Sequence, residues 1–264
     1  MQFGISTACF YPETVEKSLE KAAKTGYKNI EIFFNTDSEY SDSFISEIKA
    51  FTEAHGITVV SAHPYTSFAE PQYFFSDYQR RYDDGMEIYK HIFHQVAKLG
   101  VRIFQFHGAF LKQNVKISPE RYAETYMELK KSAAKEGIIF SQENVGRCLC
   151  GKKDYIKSLV DILGDEISFT LDIKQAGRSG EDPEEIAKVM KNINMVHIND
   201  ATETEDCLLP CCGSRNLLGI KKTLDTVGFS GVYMTEVYSK NYSDILDIIE
   251  SKNKLEKLFS ENCK

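Results

Sequence analysis

FTLDIKQAG, residues 169 to 177, runs from apolar, strand-forming residues straight into a carboxylate, Asp172, with Lys174 and Gln175 behind it. An ionised side chain at the end of a buried strand is costly to desolvate unless something pairs with it. The same apolar run with a polar end recurs along the chain. Stretches of strand length lie at 3–10, 29–34, 58–64, 101–108, 138–145, 167–173, 195–201 and 232–238, which makes eight. Between them, apolar residues fall at the three-and-four spacing of a helix. ETVEKSLEKAAKTG sets Val15, Leu19, Ala22 and Ala23 on one face and stops at Gly26, and SDSFISEIKAFTEAHG stops at Gly56. SPERYAETYMELKKSAAKEG begins with Pro119 and stops at Gly137, DPEEIAKVMKN begins with Asp182 and Pro183, and YSDILDIIESKNKLEKLF forms the last helix. Eight strand-then-helix units of about 30 residues, with no linker between them, predict an α/β fold, a closed (β/α)8 TIM barrel, as a single domain over 1–264. A doubly wound open sheet would often carry a glycine-rich phosphate turn after its first strand, where this chain reads TACFYPET.

Composition narrows the function. The chain has 264 residues, enough to bury a large core, and a formal charge of -7, which is the wrong sign for a nucleic-acid backbone partner. No run of about 18 apolar residues occurs, and MQFGISTACF lacks a charged leader, so the expectation is a cytoplasmic protein with no membrane partner. Seven cysteines without a CxxC pair, two of them adjacent at Cys211 and Cys212, read as reduced thiols.

In a barrel of this kind the chemistry sits at the C-terminal mouth. Here strand ends carry His63, His107, Glu143, Asp172, His197 and Glu236. Singly, each has an ordinary structural reading, such as a hydrogen-bonded core histidine or a turn cap. Jointly, strands five to eight each deliver one ligand-type side chain, Glu143, Asp172, His197 and Glu236, within reach of a single divalent cation. Three carboxylates and one imidazole suit Mn²⁺ or Mg²⁺ and tolerate Co²⁺ or Zn²⁺, with Mn²⁺ the expected ion.

The pieces SAHP, FQFHG, SQENV, TLDIKQA, VHINDA and YMTEVY, in that order, resemble the xylose isomerase-like barrel superfamily of sugar isomerases, epimerases and apurinic-site endonucleases. The resemblance implies a metal-dependent sugar or sugar phosphate isomerase or epimerase, with Glu143 and Glu236 as the acid/base pair and His63 and His107 facing a carbohydrate substrate. Gln175 and Arg215 are expected to orient hydroxyls. Two departures from the family pattern stand out. Gln175 occupies the place of a histidine, and DCLLPCCGS replaces a His-x-Pro-x-Gly-x-Gly run, which disfavours the multi-zinc endonuclease branch. The alternatives are an inosose-type dehydratase on the same scaffold and a sugar-binding barrel without turnover.

Overall fold

The computed structural model describes residues 1–261. Eight parallel strands, β1 (Gln2–Ser6), β2 (Asn29–Phe33), β3 (Thr58–His63), β4 (Ile103–Phe106), β5 (Ile139–Glu143), β6 (Ser168–Asp172), β7 (Ile193–Ile198) and β8 (Val232–Thr235), close in sequence order. The seam is β8 against β1, with Gln2 beside Val232 and Ile5 beside Thr235. The expected single barrel is therefore observed. Its strands are shorter than the apolar runs. Residues 7–10, expected as strand, form a 3-10 turn because the Ser6 side chain accepts from the Ala8 N–H and caps it.

Helices α1 (Val15–Lys24), α2 (Asp42–Ala54), α3 (Glu70–Phe74), α4 (Gln79–Ala97), α5 (Pro119–Ala134), α6 (Lys153–Leu163), α7 (Ile173–Arg178), α8 (Pro183–Val189), α9 (Leu217–Thr226) and α10 (Ile245–Ser260) surround the strands. The main core lies between sheet and helices and is aromatic on one side. Phe140 stacks obliquely on Phe106 at 4.8 Å, and Phe93 meets Phe104 edge-on at 4.9 Å.

Successive residues of a strand face opposite sides, so alternate residues line the barrel interior. That interior is layered. Val60, Ile103, Met195, Val232 and Met234 form an apolar floor, and a Cβ on Gly4 would stand 2.9 Å from the Met234 side chain, so glycine leaves it room. Above the floor lies a buried polar layer: Ser61 donates to Glu31 at 2.7 Å and Ser141 bonds Thr170 at 2.9 Å. Two residues further along the same faces come Glu143, Asp172, His197 and, just beyond β8, Glu236. The β6–β7 register sets Asp172 directly beside His197.

Among the described residues no helix is long and apolar enough to cross a membrane. Cys9, Cys148, Cys150, Cys207, Cys211 and Cys212 are free thiols, and the seventh, Cys263, lies outside the described residues.

The turn after β4 is pinned from below. Tyr122 donates to Gln142 at 2.6 Å, and the Gln142 amide donates to the carbonyls of Phe106 and His107. Gly108 has φ +79, and a Cβ there would fall 1.8 Å from the Tyr122 hydroxyl. Gly108→Ala is expected to lose about 2 kcal/mol or more of stability, through both the left-handed backbone and the clash. Urea unfolding checks this, and an unchanged midpoint would contradict it.

Candidate metal centre

Four side chains from four consecutive strands meet at the mouth. His197 Nδ1 lies 3.3 Å from Glu143 Oε1, 3.3 Å from Glu236 Oε2 and 3.8 Å from Asp172 Oδ2. One ligand-type atom from each of the four falls within 4.8 Å of the other three. Glu143 Oε2, Asp172 Oδ2 and His197 Nδ1 are buried without a hydrogen-bond partner. Buried polar atoms are normally satisfied; Asp172 Oδ2 and His197 Nδ1 face each other within the quartet, and Glu143 Oε2 faces His107 and His63, so the orphans mark room for an electrophile. A divalent cation fits both the geometry and the oxygen-rich donor set.

Local structure aims the side chains of the quartet. Asp172 divides its carboxylate: Oδ1 caps α7 by accepting from the N–H groups of Lys174 (2.8 Å) and Gln175 (3.0 Å), which turns Oδ2 into the site. Oδ1 thus fills the turn-cap role of the ordinary structural reading, while Oδ2 is left to the candidate metal centre. Asn144, next to Glu143, locks the two strands by bonding the Asp172 backbone in both directions, at 2.9 and 2.7 Å. His197 presents Nδ1 because its other nitrogen, Nε2, faces the fully buried Glu31 at 3.3 Å. A carboxylate behind a ligating histidine fixes its tautomer and raises its basicity.

Charge compensation is strong. Burial pushes the Glu143 carboxyl up, but His107, His197 and His63 outweigh it and hold the group well below the usual carboxylate range. Burial works against Glu31 too, yet His197 and His63 bring it to about 2. Burial raises Glu236, with Lys174 and His197 only partly opposing it. His197 is held well above the usual imidazole value: burial disfavours its charge, but Glu31, Glu236, Asp172 and Glu143 surround it. A proton at His197 Nδ1 answers the same electrostatic demand that a metal ion would.

Of the quartet, Glu143 and Glu236 line a cavity of about 440 Å³, and Asp172 and His197 are fully buried. The cavity's polar lining includes Glu143, Glu236, His63, His107, Lys174 and Gln175, together with Asn35, Ser67 and Arg147, while Tyr11, Phe33, Tyr65 and Phe68 supply an aromatic wall. His63 and His107 face each other Nε2 to Nε2 at 2.9 Å, so one ring donates and the other accepts. Glu143 Oε2 is 2.8 Å from His107 Nε2 and 3.5 Å from His63 Nε2, off the donor direction of both rings. These three residues form a second cluster with metal-ligand spacing, sharing Glu143 with the first. Gln175 accepts from the Gly146 N–H through its carbonyl oxygen, leaving its amide hydrogens for the cavity it lines. Arg215 is not brought to this cavity. It lies 3.5 Å from Asp206 and 3.5 Å from the Ile173 carbonyl, in a neighbouring depression.

Three residues of the site go beyond the sequence reading. Glu31 sits between two isoleucines in NIEIFF, and a carboxylate in mid-strand is a readable signal of a buried partner. Glu70, in α3, accepts from the N–H groups of His107 (2.8 Å) and Gly108 (2.7 Å) and from the Tyr89 hydroxyl (2.7 Å), which places His107. Lys174 is 3% exposed, with Nζ 2.9 Å from Glu236 Oε2 and 3.3 Å from Asp172 Oδ2.

A family described as xylose isomerase-like TIM barrel matches residues 19–258. No curated protein matches the chain. Among solved structures, a D-tagatose 3-epimerase-like protein superposes with a TM-score of 0.80 at 21% identity, covering 98% of this chain and 97% of its own. D-psicose 3-epimerase, in the presence of D-fructose, gives 0.79 at 17% identity over 97% of each chain. IOLI protein with a binding zinc atom gives 0.77 at 19% identity over 96% of each.

Glu31→Gln is expected to weaken Mn²⁺ binding about 10- to 100-fold while leaving the circular dichroism spectrum unchanged. Calorimetric titration reads this, and equal affinity would contradict the role given to Glu31. Glu70 makes the stability depend on pH. Burial pushes its carboxyl up to about 7 against its three hydrogen bonds, whereas an unfolded-chain glutamate titrates near about 4.3. Between those values the folded protein keeps a proton that the unfolded chain has released. The contribution is therefore full below about 4.3 and is lost as pH rises through about 7. The stability of the wild type relative to Glu70→Gln should fall over that window, and a flat difference would contradict it.

Proposed function

Because the chain belongs to the xylose isomerase-like TIM barrel family, we propose that it is a divalent-metal-dependent sugar or sugar phosphate isomerase or epimerase. The observation that carries this reading is the cluster of Glu143, Asp172, His197 and Glu236 side chains, with orphaned atoms on Asp172 and His197, two of whose members, Glu143 and Glu236, line a cavity of sugar size. These four residues would hold the ion, which when bound supplies positive charge against the negative charge that develops on substrate oxygen as a carbon-bound proton leaves. Mn²⁺ is the expected ion.

Glu143 and Glu236 are the acid/base pair. One removes the proton from the carbon beside the substrate carbonyl, and the other returns a proton, to the opposite face of that carbon for epimerisation or to its neighbour for isomerisation. The two exchange roles with the direction of reaction. His63 and His107 hydrogen-bond the hydroxyls that reach the deep end of the cavity, and the Gln175 amide donates at its side. Tyr11, Phe33, Tyr65 and Phe68 cover the apolar face of the sugar and exclude water, which strengthens every charge interaction beneath them. Solved D-tagatose 3-epimerase-like, D-psicose 3-epimerase and L-ribulose 3-epimerase structures share the fold, so a substrate panel begins with free ketoses and their phosphates.

A second reading, a sugar-binding barrel without turnover, draws support from Lys174, whose ammonium pairs with two of the four ligands. Solvent exchange separates the two. With Mn²⁺ present in D₂O, the wild type should place deuterium beside the carbonyl of one ketose or ketose phosphate and generate its epimer or isomer. Glu143→Gln and Glu236→Gln should each slow this about 10²- to 10⁴-fold with the fold intact. Binding of a sugar without exchange across the whole panel would overturn the enzyme reading in favour of the binding barrel.

A further inference from the structure

Lys174 lies two residues beyond Asp172 and is all but buried, yet its amine does not point away from the candidate metal centre. Nζ stands 2.9 Å from Glu236 Oε2 and 3.3 Å from Asp172 Oδ2. Those are the same two oxygens that approach His197 Nδ1, at 3.3 and 3.8 Å. An ammonium and a divalent ion would thus draw on the same carboxylate oxygens from positions a few ångströms apart, and two cations that close repel each other strongly in a buried site. Lysine is suited to give way, because its charge rides on a flexible four-carbon stem.

The structure also offers the amine somewhere to go. Lys174 lines the mouth cavity on one side and, on the other, a depression walled by Glu203, Glu205 and Asp206. Its amine is already 5.4 Å from the centre of the Tyr238 ring, which stands beside Arg178 and, through it, Asp206. Asp206 is engaged by Arg178 and Arg215, while Glu203 and Glu205 make no ion pair among the described residues.

We propose that Lys174 is a tethered cation that competes with the metal ion: it neutralises Asp172 and Glu236 when no ion is bound, and moves toward Tyr238 and the acidic 203–206 loop when one binds. This rests on the reading of the quartet as a metal centre. It makes Lys174 a determinant of metal affinity, with the protein's own ammonium setting the concentration at which the ion enters.

Calorimetric titration of wild type and Lys174→Met with Mn²⁺ alone tests the competition. Methionine keeps an unbranched chain of similar reach and removes the charge. Lys174→Met should bind Mn²⁺ at least about tenfold more tightly, and its melting temperature should be lower than the wild type's without Mn²⁺ and rise further with it. In the wild-type protein, mass-spectrometric footprinting by reductive methylation should show Lys174 protected without metal and reactive with saturating Mg²⁺, a readout that does not depend on any variant folding. If the wild type binds Mn²⁺ and Lys174→Met binds it no more tightly, or if Lys174 stays protected with Mg²⁺ bound, the competition is refuted and the metal centre stands. If Lys174→Met binds Mn²⁺ and the wild type does not, the competition holds and metal-dependent turnover falls. If neither binds, both fall.

Discussion

Three carboxylates in a nearly dry barrel mouth are the constraint around which the rest of this molecule is arranged. Glu143, Asp172 and Glu236 approach a single imidazole nitrogen closely enough that their mutual repulsion, in a low-dielectric site, demands positive charge. Every nearby device supplies or steers that charge. Glu31 orients His197 from behind, His63 and His107 crowd Glu143, α7 takes one oxygen of Asp172 so that the other faces inward, and Lys174 brings its ammonium to the remaining gap.

The barrel makes this arrangement affordable to the fold. Strands alternate inward and outward, so a charged residue can close an inward row whose lower positions are Met195, Met234 and Val232, without disturbing the aromatic layer between sheet and helices. The polar middle layer of Ser61, Ser141, Thr170 and Glu31 carries hydrogen bonds from the apolar floor up to the site. Position along the strand, rather than residue type alone, separates a structural polar residue from a member of the quartet.

That logic explains what was legible in the sequence. Each strand is an apolar run with a polar residue at its end, and the four residues of the quartet are themselves those ends, so barrel and quartet are both readable from period and position. Lys174 is not readable that way, because a lysine after a strand looks like a solvated side chain, and its partner Glu236 is 62 residues further along. Glu70 is hidden for the same reason: nothing in AEPQYFF announces that its carboxylate will hold the backbone 37 residues on, at His107. Arg215, which the family resemblance implied would orient hydroxyls, lies instead beside Asp206 and the Ile173 carbonyl, in the adjoining depression. Pairing with residues distant in sequence shapes all three cases, and local pattern carries little of it.

The central claim is that the quartet binds one divalent ion. Anomalous diffraction from crystals soaked in Mn²⁺ tests it most directly. The account predicts a single strong peak about 2.0–2.3 Å from atoms of Glu143, Asp172, His197 and Glu236, with the Lys174 amine withdrawn toward Tyr238. A mouth without a peak, and Lys174 still bridging Asp172 and Glu236 at high Mn²⁺, would contradict it.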